Sequence, residues 1–230
     1  AHAELLDDAV LPGAKFVQLD DGGAEGDAAV GRFLGDGERV AGVEQRLGRD
    51  AAAVHAHAAE ARIALDSGMH PKEKAFDAIP DFSLLEDGDL DAVVVSHSHL
   101  DHVGSLPVMM RRHQKAPAYM SPVTCDFADA LLHNSVNVMS SQREQDGIKE
   151  YPLFTHRELD GLTRRFLTRR PGQPFDIADT GVKAEFFDAG HLPGSVGMML
   201  DIDGLKVFYT GDVHFEDQTV SRGAEFPTEH

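Results

Sequence analysis

The chain has 230 residues, 42% hydrophobic and 26% charged, the profile of a globular domain large enough to bury a core. Its 21 Lys and Arg against 39 Asp and Glu give a formal net charge of −18, a field that repels polyanions unless a local basic patch or metal ions intervene. One cysteine, Cys125, excludes an intrachain disulfide and a multi-cysteine zinc site. No run nears the roughly 18 apolar residues of a membrane span. Ala1-His2-Ala3-Glu4 does not start with Met, so the chain reads as processed or trimmed, and it lacks the basic and apolar runs of a signal peptide. The expectation is a cytoplasmic protein with no membrane contact.

Residues 14–19 read as a first strand. Residues 20–38 are rich in Gly and Asp and read as loops, with no GxGxxG or GxxxxGK[ST] to cradle a phosphate. Residues 51–58 and 62–65 carry a two-strand hairpin pattern that ends at Asp66-Ser67-Gly68. His55 and His57 alternate there onto one face. Residues 92–95 read as a strand buried on both faces. Residues 106–113 predict a helix that tolerates Pro107 in its first turn. Residues 117–120 predict another strand. Thr124 is expected to cap a helix reaching about Met139. Thr155-His156-Arg157-Glu158 is a capping box for a second helix, reaching about Leu167. After the breaker at 171–174, residues 182–187, 195–202 and 205–209 read as strands, the last two joined by a tight turn at Asp203-Gly204. This order predicts a layered α/β or α+β domain.

The strongest chemical signal is His97-Ser98-His99-Leu100-Asp101-His102, directly after the apolar strand. Imidazole and carboxylate are the donors that zinc and similar divalent metals prefer. Two further candidates follow later strands: His191 in the Gly/Pro-rich turn 189–195, and Asp212 after Thr210-Gly211. Alone, each reads as a turn residue. Their shared placement at strand ends, where open α/β sites assemble, groups them with the first cluster. The two densest basic runs hold Arg111, Arg112, His113 and Lys115, and then Arg164, Arg165, Arg169 and Arg170. Favourable interaction with a helix dipole explains the first; contact with a phosphate backbone is the competing reading. Arg111 and Arg112 are therefore candidate substrate residues, and His214 is either structural or substrate-facing.

These stretches resemble the metallo-β-lactamase superfamily. HSHLDH matches its HxHxDH motif, His191 its later single His, and Asp212 its bridging Asp, while Asp66 looks like its earlier buttressing Asp. ALDSGMHP (64–71), SHSHLDHVGSLP (96–107), AGHLPGS (189–195) and VFYTGDVHFED (207–217) resemble, more narrowly, the β-CASP nucleases, relatives of the endonuclease that cleaves pre-mRNA 3′ ends. The resemblance covers roughly residues 62–220 and implies an αββα sandwich. It assigns His97, His99 and His191 to one zinc, Asp101, His102 and Asp212 to a second with Asp212 bridging, and Asp66 to orienting the ligand loop. It implies a hydrolase in which a hydroxide bridging the metals attacks phosphorus in RNA or single-stranded DNA, with Asp101 and Asp212 as catalytic groups. RNA-processing partners or self-association are implied too.

The last metal-2 histidine of those nucleases lies far beyond the TGD motif and has no counterpart here, nor has the β-CASP domain. The chain is therefore expected to be the N-terminal portion of a longer protein, with residues 51–220 as metal-site core and 1–50 as leading strands and loops. Two alternatives stand beside the ribonuclease: a small-ester hydrolase of thioesterase or lactonase type, and an inactive partner-binding homologue.

Overall fold

The computed structural model describes the backbone of three leading strands and residues 61–227, apart from 83, 84, 86, 89, 203 and 226. The leading strands are β1 (Lys15–Val17), β2 (Gly42–Gln45) and β3 (Val54–Ala58). Then come β4 (Ala61–Leu65), β5 (Ala92–Val94), α1 (Leu100–Val103), α2 (Leu106–Arg112), β6 (Ala118–Met120), α3 (Pro122–Asp146) and α4 (His156–Leu162). The chain continues with β7 (Phe166–Thr168), β8 (Phe175–Asp176), β9 (Lys183–Asp188), β10 (Val196–Ile202) and β11 (Leu205–Tyr209).

The strands form two sheets, in order β2-β3-β4-β5-β6-β7 and β1-β11-β10-β9-β8. From β4 to β7 the first sheet is parallel, and β5 at its centre has no exposed face. Alternation sorts its side chains. Ile63, Leu65, Ala92 and Val94 meet Phe186, Val196, Met198, Leu200, Val207 and Tyr209 between the sheets. Ala64, Val93 and Val95 face the helices, against Leu106, Met109, Leu132, Val136 and Leu159. Each buried Val, Leu, Ile, Met or Phe among them contributes about 1.5–3 kcal/mol by leaving water. The layers described are helix, sheet, sheet. The fourth layer of an αββα sandwich is not among the described residues. No described helix is long and apolar enough to cross a membrane.

Several sequence expectations need correction. Ser121, not Thr124, caps α3: its hydroxyl accepts the Thr124 N–H, with Pro122 in the first turn. The helix runs past Met139 to Asp146 and stops where Gly147 turns left-handed at φ +72°. The capping box at Thr155 and Glu158 is formed, but α4 ends at Leu162, not near Leu167. Phe166–Thr168 pairs with Ala118–Met120, so edge-strand formation overrides helical continuation. The hairpin at 51–65 is present as β3 and β4. The side chains of His55 and His57 lie outside the described residues, as does Asp203.

The fold sets the site at one end. The parallel pairing of β4 with β5, and the antiparallel chain β9-β10-β11, bring the C-terminal ends of β4, β5, β9 and β11 together.

Candidate metal centre

Three loops carry the donor residues, and each is fastened. The 66–69 strap follows β4 and lies along 97–105. Asp66 N–H donates to Val94 O at 2.8 Å, Ser67 N–H to His102 O at 2.7 Å, and Met69 N–H to Leu100 O at 2.8 Å. Gly68 permits this approach, because a Cβ there would sit 1.5 Å from Asp101 O. The 189–195 turn is closed by Ser195, whose hydroxyl accepts the N–H groups of His191 (3.1 Å) and Leu192 (3.2 Å). Gly194 O in turn accepts the Ser121 and Thr124 hydroxyls at 2.6 and 2.8 Å. Ser96 is the common neighbour. Its carbonyl accepts Val196 N–H at 2.9 Å, and a Cβ on Gly211 (φ +55°) would meet its side chain at 2.7 Å.

These loops converge four donors: one nitrogen each from His97, His99 and His191, and a carboxylate oxygen of Asp212, all within 4.8 Å of one another. His99 Nδ1 lies 3.1 Å from His97 Nε2 and 3.2 Å from His191 Nε2. Asp212 Oδ2 lies 3.7 and 3.5 Å from those same two Nε2 atoms. A tetrahedron with bonds of about 2.0 Å has edges of about 3.3 Å, close to these four spacings, so the set could hold one zinc-sized ion. The other Asp212 oxygen, Oδ1, faces His102 Nε2 at 3.4 Å. One carboxylate thus addresses two imidazole groups, as a bridging ligand must.

Asp66 supports both groups. Its Oδ1 accepts Ser96 N–H at 2.7 Å; its Oδ2 accepts the Ser96 hydroxyl (2.7 Å), His102 Nδ1–H (2.7 Å) and the Tyr209 hydroxyl (2.6 Å). Ser96 has one hydroxyl hydrogen and gives it to Asp66, so its oxygen accepts His97 Nδ1–H at 3.0 Å. That leaves the His97 Nε2 lone pair aimed at the centre. Asp66 itself is held at φ +63°, a left-handed conformation that non-glycine residues rarely adopt.

The electrostatics follow from burial and pairing. Burial favours a neutral Asp66, yet the adjoining His102 overcomes it and keeps the carboxyl below its usual range. Burial also opposes charge on His102, but Asp66 and Asp212 raise it to about 10. His97 is pushed down to about 3, by burial first and by His102 second. The facing His102 imidazole holds Asp212 at about 2. Without a cation, a proton on His102 therefore takes the place of positive charge between Asp66 and Asp212.

Other sequence candidates fall differently. Asp101 is half-buried in the first turn of α1 and is not one of the four converging donors. Arg111 donates to Leu153 O at 2.7 Å and pairs with Glu158 at 2.9 Å. Arg112 binds Asp87 and the carbonyls of Phe82 and Leu85 at 2.6–3.0 Å. Both side chains tie α2 to neighbouring segments. His214 fastens the segment after Asp212 through its backbone: its N–H donates to Ala189 O and its carbonyl accepts the Ala224 N–H. Ser96, Tyr209 and Ser195 were missed by sequence reasoning. Only the place of Ser96, directly before the first ligand His, could have signalled it.

The metallo-beta-lactamase superfamily model matches residues 59–227, and the chain belongs to that superfamily. Among named relatives, it is 30% identical over 167 residues to the cleavage and polyadenylation specificity factor 73 of Drosophila melanogaster, covering 72% of this chain and 23% of that protein. It is 31% identical over 168 residues to the endoribonuclease YSH1 of Saccharomyces cerevisiae, covering 72% and 21%. A Methanocaldococcus jannaschii protein named "Probable RNase MJ4" is 28% identical over 171 residues, covering 72% and 36%. The chain thus spans 21% to 36% of the length of these relatives. A solved metallo-β-lactamase from Cronobacter sakazakii with a HARLDQ motif aligns with a TM-score of 0.49 at 19% identity, over 73% of this chain and 60% of that one.

Proposed function

We propose that the chain carries the hydrolytic centre of a two-zinc phosphodiesterase acting on RNA in the cytoplasm, within residues 51–220. The observation that carries this reading is the Asp212 carboxylate, one oxygen toward His97 and His191 and the other toward His102. Relatives named as an endoribonuclease and an RNase support the substrate class. His97, His99 and His191 would hold one ion, and His102 with Asp101 the other, Asp212 serving both. When bound, the metal pair supplies Lewis acidity and a water of lowered pKa, the chemistry of in-line attack at phosphorus.

The chain's own residues do the rest. Asp66 fixes His102 directly and His97 through Ser96, so neither ring reorganises during turnover. Asp101, beside the ligand loop, accepts the proton released by the attacking water. With a net charge of −18, attraction of the polyanion falls to the metal charge.

The test is cleavage of end-labelled single-stranded RNA by zinc-loaded protein beside Asp101→Ala. The expected result is cleavage that drops by about 100-fold or more in the variant. Zinc-loaded protein that leaves RNA intact but hydrolyses a thioester or lactone overturns the reading in favour of the small-ester hydrolase.

A further inference from the structure

Away from this centre, a second group of metal-ligating side chains joins α3 to α4. Asp129, His133 and Asn137 follow one another at four-residue spacing along α3 and share a face; His156 and Asp160 do the same on α4. The imidazoles of His133 and His156 are nearly coplanar, with ring planes 10° apart and centroids at 5.0 Å. They meet edge to edge, Nδ1 to Nδ1, at 2.7 Å.

The far nitrogens decide what lies between them. His156 Nε2 is 3.1 Å from Asn137 Oδ1, which accepts a hydrogen. His133 Nε2 lies 3.7 Å from both Asp129 Oδ1 and Asp160 Oδ1, too far for a hydrogen bond but near enough for the two carboxylates to attract positive charge. The His156 ring is thereby directed to carry its hydrogen on Nε2. The His156 Nδ1 lone pair then faces His133 Nδ1, and either a hydrogen on His133 Nδ1 or a metal ion can lie between the two rings. Imidazoles whose second nitrogen donates to a carboxylate or carbonyl oxygen are the usual state of histidine bound to a metal.

We propose that His133 and His156 form a peripheral site for a divalent ion of the zinc, nickel or copper class, the ions that imidazole suits best. Nitrogens bound at about 2.0 Å on a tetrahedral ion lie about 3.3 Å apart, so the pair must open by about 0.6 Å. Both rings are on accessible side chains and can open that far, with water completing the coordination. An ion there would pin α4 to α3 and, through α4, the turn that leads into the edge strand β7. The inference does not depend on the nuclease reading.

The test is titration of zinc, and separately nickel, into the metal-free full chain against a chromophoric chelator. The expected result is one more equivalent bound by the wild type than by His133→Ala or by His156→Gln. Zinc should also raise the thermal midpoint of the wild type further than that of either variant. His156 is exposed, so His156→Gln keeps the test valid if His133→Ala fails to fold. Equal stoichiometry in the wild type and His156→Gln overturns the proposal.

Discussion

The Tyr209 hydroxyl donates to Asp66 Oδ2 across 2.6 Å and 143 residues of sequence, joining the end of β11 to the strap after β4. Both residues are fully buried, and burial followed by the Asp66 charge holds the Tyr209 hydroxyl far above its usual range. Tyr209 is thus a permanent donor. Tyr209→Phe is expected to cost about 1–2 kcal/mol of stability by denaturant titration, because it removes one of four donors to a buried carboxylate. Asp66→Asn disturbs the bonds that orient His97 and His102, and should weaken zinc binding by about 10–100-fold in a chelator competition.

Gly68→Ala tests the packing of the ligand loop. The added Cβ would fall 1.5 Å from Asp101 O, which is backbone and cannot rotate away. Strap and ligand loop must separate. The expected outcome is loss of zinc from the central site together with a thermal midpoint lowered by several degrees, measured by metal analysis and melting. Gly172→Ala, at a glycine with open space but φ +73°, is the control: it strains only its own turn and leaves zinc in place.

Metal uptake should be linked to protons. His102 titrates near 10 in the metal-free protein, so at pH 7 it is protonated and a cation at Nε2 must displace that proton. His97, near 3, has none to lose. A group whose proton is released on binding makes affinity rise with pH up to its pKa and level off above it. Zinc bound through His102 is therefore expected to bind about tenfold more tightly per pH unit between 7 and 9. Calorimetry in two buffers of different ionisation enthalpy should show one proton released.

Arg165 commits its guanidinium to four carbonyls, those of Met110, His113, Gln114 and Ala116, at 2.9–3.1 Å. Arg165→Ala removes the guanidinium from these carbonyls, of which His113 O keeps only the Ala116 N–H, and should cost about 2 kcal/mol in denaturant titration. The salt dependence of RNA binding should be unchanged in this variant and in Arg112→Ala. A phosphate contact would instead reduce the salt slope by about one unit per arginine.

Much of this was legible in the sequence because it is local. The strand at Ala92–Val94, the box at Thr155 and Glu158, and the helix at Leu106–Arg112 declare themselves in short windows. What failed was set by distant partners. Leu162–Leu167 reads as helix until Ala118–Met120 claims Phe166–Thr168 as a sheet edge. The α3 start was misplaced because Ser121 and Thr124 are both capping residues; the Pro after Ser121 favours the earlier one. The bonds of Arg111 and Arg112 to the carbonyls of Leu153, Phe82 and Leu85 were not legible, because those partners lie 27 to 42 residues away. The converging His and Asp residues were visible as a motif, whereas their support by Ser96 and Tyr209 depends on two strands meeting at Asp66.

The centre also straddles the sandwich. His97, His99 and His102 hang from the first sheet, while His191 and Asp212 hang from the second. Distances within the donor set are therefore a gauge of how far apart the two sheets stand. A substitution such as Phe186→Leu, deep between them, would be read out at the centre as altered metal affinity, so the inter-sheet filling acts as a spacer for the chemistry.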